Sequence, residues 1–406
     1  MSPSRRTVVP VWLLALFTFS GPVGMHIFVP ALPSVAQDLH TTAGAMQLTV
    51  SLYILGLAVG QFVYGPLSDR FGRRPALLAG LVVFTLASVM GLFASDARIL
   101  IAARFLQAAG GCAGLVLARA IIRDTSEAHD AARRLALMNV LVTAGPAVAP
   151  LIGAGLTSMW GWRTILMGLT ALGVANFVLA WRVLPETRPD MPHVSGREHV
   201  RSHLALARSK AFLGYAVGGA CATTSIYAFI AAAPFIFAGR LHADSGRTGV
   251  YLALLVSGVW LGSLIASRTI KRFSLRTFLI TANSVSVIAA AVFLAMVLSD
   301  ALTVPRVIGT MFLFAVGVGA SAPAALVQAI SLNPRLTGTA SGVYGSIQMA
   351  VGAALAALAG LGGNPALAAG LVLAFSGLLA QFAFWIAARE TDAAPEPERE
   401  GLVPLR

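Results

Sequence analysis

Long apolar stretches alternate with short polar segments along all 406 residues of the chain. A hydrocarbon core about 30 Å thick is crossed by a helix of roughly 20 apolar residues, and the chain contains twelve stretches of that kind. The first stretch lacks a small-residue cleavage site after a short apolar core, so we expect it to be retained and not removed as a signal peptide. The pattern predicts membrane-spanning helices at residues 9–34, 44–65, 75–94, 98–121, 134–157, 163–184, 211–237, 247–267, 276–298, 302–325, 336–360 and 366–388.

The composition agrees with a membrane protein. Hydrophobic residues make up 57% of the chain and charged residues 11%, whereas a soluble domain has roughly 45–50% apolar and about 25% charged residues. A soluble enzyme is therefore excluded, and the surplus apolar surface must face lipid. The two cysteines, Cys112 and Cys221, lie in apolar stretches, which gives no indication of a disulfide or a metal site. We expect an all-α polytopic membrane protein with no metal and no cofactor.

The basic side chains are distributed unevenly between the two sides of the membrane. Lys and Arg outnumber Asp and Glu by 29 to 16, which gives a formal net charge of +13. With the N-terminus placed in the cytoplasm, 23 of the 29 bases lie on the inner side, 5 on the outer side and Arg104 within a span. Because positive residues favour the cytoplasmic side, we expect both termini to be cytoplasmic. The charge then reflects topology and contact with anionic lipid, not the binding of nucleic acid.

A polar stretch near the midpoint divides the twelve spans into six and six. It predicts an N-terminal six-helix bundle at 1–184, a cytoplasmic linker at 185–210, a C-terminal six-helix bundle at 211–388 and a disordered cytoplasmic tail at 389–406. A shift of 202 residues makes Gly56, Gly60, Arg70, Phe71 and Arg74 coincide with Gly258, Gly262, Arg272, Phe273 and Arg276. Because small residues let helices approach closely, this duplicated packing predicts a pseudo-symmetric transporter with its site between the halves.

The loop after the second predicted span reads Gly-Pro-Leu-Ser-Asp-Arg-Phe-Gly-Arg-Arg at residues 65–74. It resembles the G-x-L-x-D-R-x-G-R-R signature between helices 2 and 3 of the major facilitator superfamily, and every specified position matches. The glycines permit a tight turn and close helix contact, and the aspartate can accept hydrogen bonds from the arginines or face a helix N-terminus. The residues of this inner-gate loop are Gly65, Asp69, Arg70, Gly72, Arg73 and Arg74.

The resemblance implies that the inner-gate loop closes the cytoplasmic side against the start of the eleventh helix, near Asn333 and Pro334. In the second half of the chain Lys271 takes the place of Asp69, so the acid is present in the first copy alone. We therefore expect Asp69 and Arg73 to lock the gate in the first half.

Arg104 lies inside the fourth predicted span, in the segment Arg-Phe-Leu-Gln-Ala-Ala-Gly at residues 104–110. The segment resembles the R-F-L-Q-x-x-G element of the same superfamily. A guanidinium within the membrane is costly and generally faces a cavity or a partner, and the resemblance implies a role in proton coupling or in organising the cavity. The alternative is an arginine that snorkels to the outer boundary, since Arg98 begins the same span.

The fifth predicted span carries a proline- and glycine-rich motif formed by Gly145, Pro146, Pro150 and Gly153. It resembles the Gly-Pro antiporter motif of drug-proton exchangers, which implies efflux. Two prolines four residues apart favour a bend, so a purely structural kink is the alternative. Residues 25–33 and 181–188 resemble segments of the Bcr/CflA drug-resistance branch, which includes chloramphenicol and bicyclomycin exporters.

His26 stands where members of that branch carry an aspartate. None of the 16 acidic residues lies inside a predicted span, so no membrane carboxylate is available to carry a proton or to attract a cation. Histidine titrates near physiological pH, and we hypothesise that His26 is the coupling residue in a cavity that favours neutral or anionic compounds. The alternative is a His26 bonded to a helix carbonyl, with coupling absent or carried by Asp38.

These patterns together predict the major facilitator fold and drug:proton antiport by alternating access in a bacterial inner membrane. The absence of a Walker-type loop argues against an ATP-driven pump. We expect small-molecule drugs or xenobiotics, protons and the lipid bilayer as partners, and a monomer. The possible cavity residues are Phe28, Tyr227, Phe229, Tyr344 and Gln348, and ordinary helix packing is the alternative for each.

Three other functions compete with this interpretation. A metabolite facilitator or exporter of the same fold could lack proton coupling, and a membrane sensor or scaffold could share the fold. A membrane enzyme would need a cluster of catalytic or metal-binding residues, for which the chain offers His193, His199 and His203 on the polar linker. Their spacing is weak evidence for a metal site, and a solvated linker explains it, so we expect no enzymatic activity.

Overall fold

The computed structural model describes residues 9–188, 206, 208–332 and 337–393, and every regular element within these ranges is a helix. We number the helices in chain order and count the interrupted first and seventh helices as one each. They are α1 (Val11–Asp38), α2 (Ala43–Phe71), α3 (Arg73–Leu92), α4 (Ala97–Thr125), α5 (Ala128–Trp160), α6 (Arg163–Val183), α7 (Lys210–Arg240), α8 (Ser245–Thr269), α9 (Leu275–Leu298), α10 (Val304–Ser331), α11 (Thr337–Ala359) and α12 (Pro365–Ala393).

The described helices confirm the predicted all-α polytopic architecture. Eleven of them are long and apolar enough to cross a membrane. The remaining predicted span, at residues 134–157, lies within α5, whose 33 residues extend about 50 Å at 1.5 Å per residue. Several helices continue past the predicted spans, because polar residues can extend a helix beyond the hydrocarbon core.

Large apolar side chains on the outside of the helices provide independent support for a lipid-facing surface. Along α12, Leu371, Phe375, Leu378, Phe382 and Trp385 are exposed and recur at three- and four-residue intervals. This spacing places them on one face of the helix. A contiguous apolar stripe of this kind is stable against lipid and would be an aggregation surface in water.

Two helices are interrupted, and each is the first of its six-helix half. In α1, an α-helical segment ends at Phe28, a 3-10 turn covers Val29–Ala31, and a second segment begins at Leu32. In α7, the first segment ends at Thr224 and the next begins at Ile226. Membrane helices are rarely broken unless the freed backbone is buried in protein or lines a cavity, so both interruptions are candidate functional positions.

The described residues form two compact units. The first unit contains α1 to α6 together with Asp244–Ala253, the start of α8, and the second contains the rest. Within the first unit the start of α8 lies close to α5: a Cβ at Gly249 would lie 2.5 Å from the Cβ of Ala154 and 2.8 Å from the carbonyl oxygen of Pro150.

The glycines of the internal repeat allow close packing of two helices in both units. In the first unit Gly56 and Gly60 of α2 lie against α4, where a Cβ on Gly60 would be 2.5 Å from the Cβ of Cys112. In the second unit Gly258 and Gly262 of α8 lie against α10 in the same way. Because the hydrophobic effect does not bring helices together in lipid, they associate through close packing at small residues. The duplicated packing predicted from the sequence is confirmed.

The ends of the chain and the region between α6 and α7 largely lie outside the described residues. These include most of the predicted linker at 185–210 and residues 394–406 of the predicted tail. The last helix runs to Ala393 and so includes the first residues that we expected in the tail.

Candidate functional site

Arg104 of α4 lies inside the first unit, and the residue is 1% exposed. Its Nη2 donates a hydrogen bond to the carbonyl oxygen of Gly24 on α1 at 2.8 Å, and its Nη1 donates to Oε1 of Gln107, one turn further along α4. The guanidinium carbon lies 4.6 Å from the ring centroid of Phe28 and 4.1 Å from that of Tyr53. The snorkelling alternative does not hold, because the head group is turned into the protein between α1, α2 and α4.

Further hydrogen bonds fix the surroundings of Arg104. Nε2 of Gln107 donates to Oγ of Ser88 on α3 at 2.6 Å. On the other side, the hydroxyl of Tyr53 on α2 donates to the carbonyl oxygen of Gly21 on α1 at 2.8 Å. Because these partners come from four helices, the guanidinium is held in one orientation by the packing of the unit.

The positive charge of Arg104 is not matched by a carboxylate among the described residues, where its hydrogen-bond acceptors are a carbonyl and an amide oxygen. Its Nε is buried and has no hydrogen-bond partner in the same part of the chain. A buried charge without a counterion is costly, and hydrogen bonds from a cationic donor are among the strong ones. Arg104 can therefore attract an anionic or hydrogen-bond-accepting ligand and repel a cation.

Phe28 lies one turn after Gly24 on the same face of α1, whereas His26, two residues after Gly24, lies on a different face of that helix. His26 is 6% exposed, and no hydrogen bond to its imidazole is found among the residues that the structure describes. Phe28 lies beneath the Arg104 guanidinium and meets the ring of Trp162 edge to face, with centroids 6.3 Å apart. The structure therefore brings Phe28 directly to Arg104, whereas His26 is buried on a different face of the same helix.

Asp38, the alternative coupling residue, lies at the end of α1 and is engaged by two donors. Its Oδ2 accepts from Nη1 of Arg163 at 2.5 Å and from Nε1 of Trp162 at 3.1 Å. Since Trp162 also touches Phe28, a chain of contacts leads from Asp38 to the Arg104 site. The carboxylate itself remains at a half-exposed helix end.

The motif of the fifth helix packs α5 onto α1. Pro146 and Pro150 both lie within α5, which continues through them. Gly145 lies against a phenylalanine ring of α1, and a Cβ on Gly153 would overlap the carbonyl oxygen of Ile27. Because Ile27 follows His26, this helix contact lies directly beside the candidate coupling residue.

Arg73 is the centre of an ion-pair cluster at the predicted cytoplasmic end of the first unit. Its Nη1 lies 2.5 Å from Oδ1 of Asp69 and 2.7 Å from Oγ of Ser68, and its Nε lies 2.9 Å from Oδ2 of Asp124. The side chains of Arg73 and Asp124 are 12% and 13% exposed, whereas that of Asp69 is 54% exposed. Asp124 on α4 was not predicted, and it makes the better shielded of the two ion pairs.

The turn between α2 and α3 consists of one residue, Gly72, with φ +100°. A side chain is strained at this φ, and a Cβ would also lie 2.5 Å from Oε2 of Glu186. Glu186 accepts from the backbone N–H groups of Arg73 at 2.9 Å and of Arg74 at 3.2 Å. The carboxylate therefore caps the N-terminus of α3, where a negative charge is favourable.

The other inner-gate residues have lesser roles within the unit. Arg74 donates to the carbonyl oxygen of Trp181 at 2.5 Å, and Arg188 donates to that of Arg70 at 2.8 Å, which ties the end of α6 to α2 and α3. The side chain of Arg70 is exposed. Gly65 lies inside α2, and no described atom lies within 4 Å of its Cβ position, so the expected tight turn and close contact at Gly65 are replaced by helix.

The position of Glu186 changes the pKa of its carboxyl. Partial burial opposes ionisation, but hydrogen bonds from the backbone N–H groups of Arg188, Arg73, Arg74 and Thr187 outweigh that effect, and the pKa of Glu186 is lowered below its ordinary value. A group whose pKa is lower in the folded state stabilises the fold at pH above its unfolded value, about 4.3. That contribution is lost as the pH falls through the folded pKa.

We expect Glu186→Gln to lower the melting temperature of the purified protein by a few degrees at pH 7, because it removes the charged cap of α3. The difference from the wild type should shrink towards zero as the pH is lowered from 7 through 4. Glu127→Gln is the matched control, since Glu127 precedes α5 without a capping hydrogen bond from its side chain. A difference for Glu186→Gln that stays constant with pH would contradict the charged-cap explanation.

Three of the predicted cavity residues come together in the second unit. Gln348 of α11 donates to Oγ1 of Thr223 on α7 at 2.8 Å, and Tyr344 lies one turn before Gln348. Tyr227 of α7 is half-buried and also packs on α11. Phe229 is 1% exposed and meets a phenylalanine of α9 edge to face at 5.5 Å, which is ordinary helix packing.

The remaining predicted positions concern a metal site and the partner of the inner-gate loop. No group of three or more His, Cys, Asp or Glu side chains within the described ranges could hold a metal ion, and His193, His199 and His203 lie outside those ranges. Asn333 and Pro334, where the gate was expected to close, also lie outside the described residues.

Comparison with known proteins agrees with the motifs. A sequence model of the Major Facilitator Superfamily matches residues 14–357. The chain is similar to Multidrug resistance protein D of Escherichia coli K12, with 30% identity over 369 residues that cover 88% of this chain and 90% of that protein. It is also similar to a chloramphenicol resistance protein of Pseudomonas aeruginosa, with 32% identity over 337 residues that cover 82% and 79% of the two chains.

A bicyclomycin resistance protein homolog of Haemophilus influenzae is 25% identical over 360 residues, which cover 88% of this chain and 90% of that protein. Among solved structures, a D-xylose-proton symporter gives a TM-score of 0.73 over 91% of this chain and 96% of that chain. The sequence identity to the symporter is 14%, so this likeness concerns the fold alone.

Proposed function

Because the chain belongs to the Major Facilitator Superfamily and is a multi-pass membrane transporter, not an enzyme, we propose that it exports drug-like small molecules in exchange for protons. The similarity to multidrug, chloramphenicol and bicyclomycin resistance proteins supports the export of antibiotics or other xenobiotics. The bacterial relatives and the bias of basic residues support placement in an inner membrane with both termini cytoplasmic. We propose a monomer that works by alternating access.

The observation that carries the proposed substrate preference is the buried guanidinium of Arg104, which no described carboxylate neutralises. Two positive charges at close range in a poorly solvated site repel each other strongly, so a cationic drug is disfavoured there. A neutral or anionic amphipathic compound can instead accept a hydrogen bond from the unpartnered Nε. A compound that reaches the guanidinium would meet the rings of Phe28 and Tyr53, which flank it and are themselves buried.

Uptake into everted membrane vesicles from an overexpressing strain tests this function. We expect accumulation of uncharged and anionic antibiotics to rise when an inward-acidic proton gradient is imposed, and to stop when a protonophore removes the gradient. Transport that runs down a drug gradient alone, without response to the proton gradient, would favour a facilitator. Preferential transport of lipophilic cations would contradict the proposed role of Arg104.

We propose His26 as the group that takes up and releases the coupling proton. It lies on α1 between Gly24, whose carbonyl binds Arg104, and Ile27, which packs on the antiporter motif of α5. A proton on His26 would add a second positive charge to the buried interior of the first unit, which already holds that of Arg104, and so would alter the affinity for an anionic or neutral ligand. Coupling of this kind needs no carboxylate in the membrane.

We expect His26→Ala to abolish the dependence of export on the proton gradient, and His26→Asp to shift the pH dependence towards acid, because a carboxyl titrates at lower pH than an imidazole. The measurement is the vesicle uptake rate between pH 5.5 and 8. His40→Ala is the matched control, since His40 lies exposed at the end of the same helix. Unchanged proton dependence in both His26 variants would contradict the coupling role, and its loss in Asp38→Asn would transfer that role to Asp38.

We propose a separate, mechanical role for the cluster around Arg73. The Arg73 pairs to Asp69 and Asp124 join the ends of α2, α3 and α4, so these helices would move as one piece during transport. The half-exposed Asp69 carboxylate retains acceptor capacity for a gate contact. The proposed gate partner at the start of the eleventh helix lies outside the described residues.

A further inference from the structure

The middle of α7 carries three consecutive hydroxyl residues at the point where the helix is interrupted. Thr223 and Thr224 end its first segment, and Ser225 separates that segment from the next. The N–H of Ala228 bonds to the carbonyl oxygen of Ser225 at 2.9 Å, three residues earlier, so the backbone is tightened here. Thr223 lies about 20 Å along the helix from Lys210 at 1.5 Å per residue, near the middle of the membrane.

Two successive turns of α11 face two successive turns of α7 at this level. On one turn, Gln348 donates to Thr223 at 2.8 Å. One turn earlier on both helices, the hydroxyl of Tyr344 lies against Gly219, where a Cβ would be 2.6 Å from the hydroxyl oxygen. Only the first of these two polar contacts is a hydrogen bond among the described residues.

Within the part of the chain that the structure describes, the hydroxyl of Tyr344 is a buried donor without a hydrogen-bond partner. The residue is 3% exposed, and its oxygen has no hydrogen-bond partner within the described residues. Buried tyrosine hydroxyls usually find a partner, and an unsatisfied buried polar group is destabilising. A hydroxyl left in this state next to an interrupted membrane helix points to a ligand-binding position, because irregular backbone at membrane depth is buried in protein or lines a cavity, and the binding sites of many transporters are formed by discontinuous helices.

The surroundings define the chemistry of the ligand. Gln348 and Tyr227 are half-buried, so the group of residues is not sealed off on every side. Within the described second unit, the buried polar side chains are hydroxyls and amides, and none is charged. Such a site can recognise a neutral polar group and offers no counterion to a charged one.

We propose that Tyr344, Gln348 and Thr223 form a neutral subsite that binds a carbonyl or amide group of an uncharged amphipathic substrate. The Tyr344 hydroxyl donates to the ligand oxygen, and the Gln348 amide supplies a donor and an acceptor beside it. This inference rests on the proposed export function and adds a second recognition element to Arg104. It assigns hydrogen-bonded recognition to the second unit and charge recognition to the first.

Equilibrium binding to the purified full-length protein in detergent tests the subsite without requiring transport. The probes are chloramphenicol, which is uncharged and carries an amide carbonyl, and ethidium, which is a cation without a carbonyl. We expect Tyr344→Phe to weaken chloramphenicol binding about 3- to 10-fold, the effect of one lost hydrogen bond, and to leave the weaker ethidium binding unchanged. Tyr215→Phe removes another buried hydroxyl from the same apolar cluster on α7 and should leave both affinities unchanged.

Gln348→Leu provides a second test, because it removes the amide and retains side-chain volume. We expect it to weaken chloramphenicol binding at least as much as Tyr344→Phe does. Equal affinity of the wild type and both variants for chloramphenicol would overturn the subsite and leave the export function standing, since it would mean that water alone meets the Tyr344 hydroxyl. Equal losses for chloramphenicol and ethidium would also overturn it, because they would indicate damage to folding. A wild-type protein that binds and exports no uncharged compound would overturn the export function as well.

Discussion

Replacing Arg104 by alanine is expected to reduce drug export at least tenfold while the protein still inserts and folds. The substitution removes a cationic donor that is anchored by Gly24 and Gln107 and stacked between Phe28 and Tyr53. It also removes a buried charge without a counterion, which offsets part of the loss of hydrogen bonds in the stability of the unit. Initial rates of uptake into everted vesicles, divided by the amount of transporter, measure the effect.

Two further variants separate the charge of Arg104 from its geometry. Arg104→Lys keeps the charge but lacks the planar fork that reaches two acceptors at once, so we expect it to retain only a small part of the activity. Arg104→Gln keeps hydrogen-bonding capacity without charge and should lower transport of an anionic antibiotic more than that of a neutral one.

Arg98→Ala is the matched control, because Arg98 is exposed near the start of the same helix. We expect Arg98→Ala to transport at nearly the wild-type rate. Wild-type rates for Arg104→Ala at normal protein levels would contradict a role in recognition or coupling. An Arg104→Gln variant that loses anionic and neutral substrates in equal proportion would contradict the specific role of the charge.

The length of the apolar stretches was sufficient to predict the membrane helices, because each span must satisfy its own backbone in lipid. The ends were harder to predict from hydrophobicity. The second span was expected to end at residue 65, but α2 continues to Phe71, since its last turns leave the hydrocarbon core and carry polar residues without breaking the helix. The turn therefore shrinks to Gly72, whose φ of +100° favours glycine.

A candidate site could be predicted where a charged side chain lies within the membrane, because burying a charge there is energetically costly. Arg104 is conspicuous as the one base that lies more than five residues from either end of a predicted span, and the residue is buried in the structure. Its neighbours Tyr53 and Ser88 were not predicted, because an isolated tyrosine or serine in an apolar helix carries no sign of the helix that it will face. Those contacts depend on the packing of α2 and α3 against α4.

At the predicted cytoplasmic end, too, the contacts between helices were predicted only in part. Asp69 and Arg73 were found through their spacing. Asp124 and Glu186 are distant from them in sequence, and both contact Arg73 only because α4 and the end of α6 pack beside the start of α3. A signal for Glu186 was present, since it lies in a segment that resembles the drug-resistance branch. Its role as a helix cap depends on the position of α3, which that segment does not encode.

The second large effect is expected from substitution of Gly153, in the antiporter motif of α5. A Cβ at this position would overlap the carbonyl oxygen of Ile27 on α1. A backbone oxygen cannot rotate away as the end of a flexible side chain can, so α1 and α5 would have to separate. We expect Gly153→Ala to lower the melting temperature clearly, as overpacking usually does, and to reduce export at least tenfold.

Gly155 provides an internal control for Gly153→Ala, because it lies two residues further along α5 and no described atom lies within 4 Å of its Cβ position. Alanine also favours helix over glycine by up to about 1 kcal/mol, so Gly155→Ala should be neutral or slightly stabilising and should export normally. The measurements are thermal unfolding in detergent and vesicle uptake for both variants. If Gly153→Ala unfolds and transports like Gly155→Ala, the close α1–α5 contact beside His26 is wrong, and the motif acts through its prolines instead.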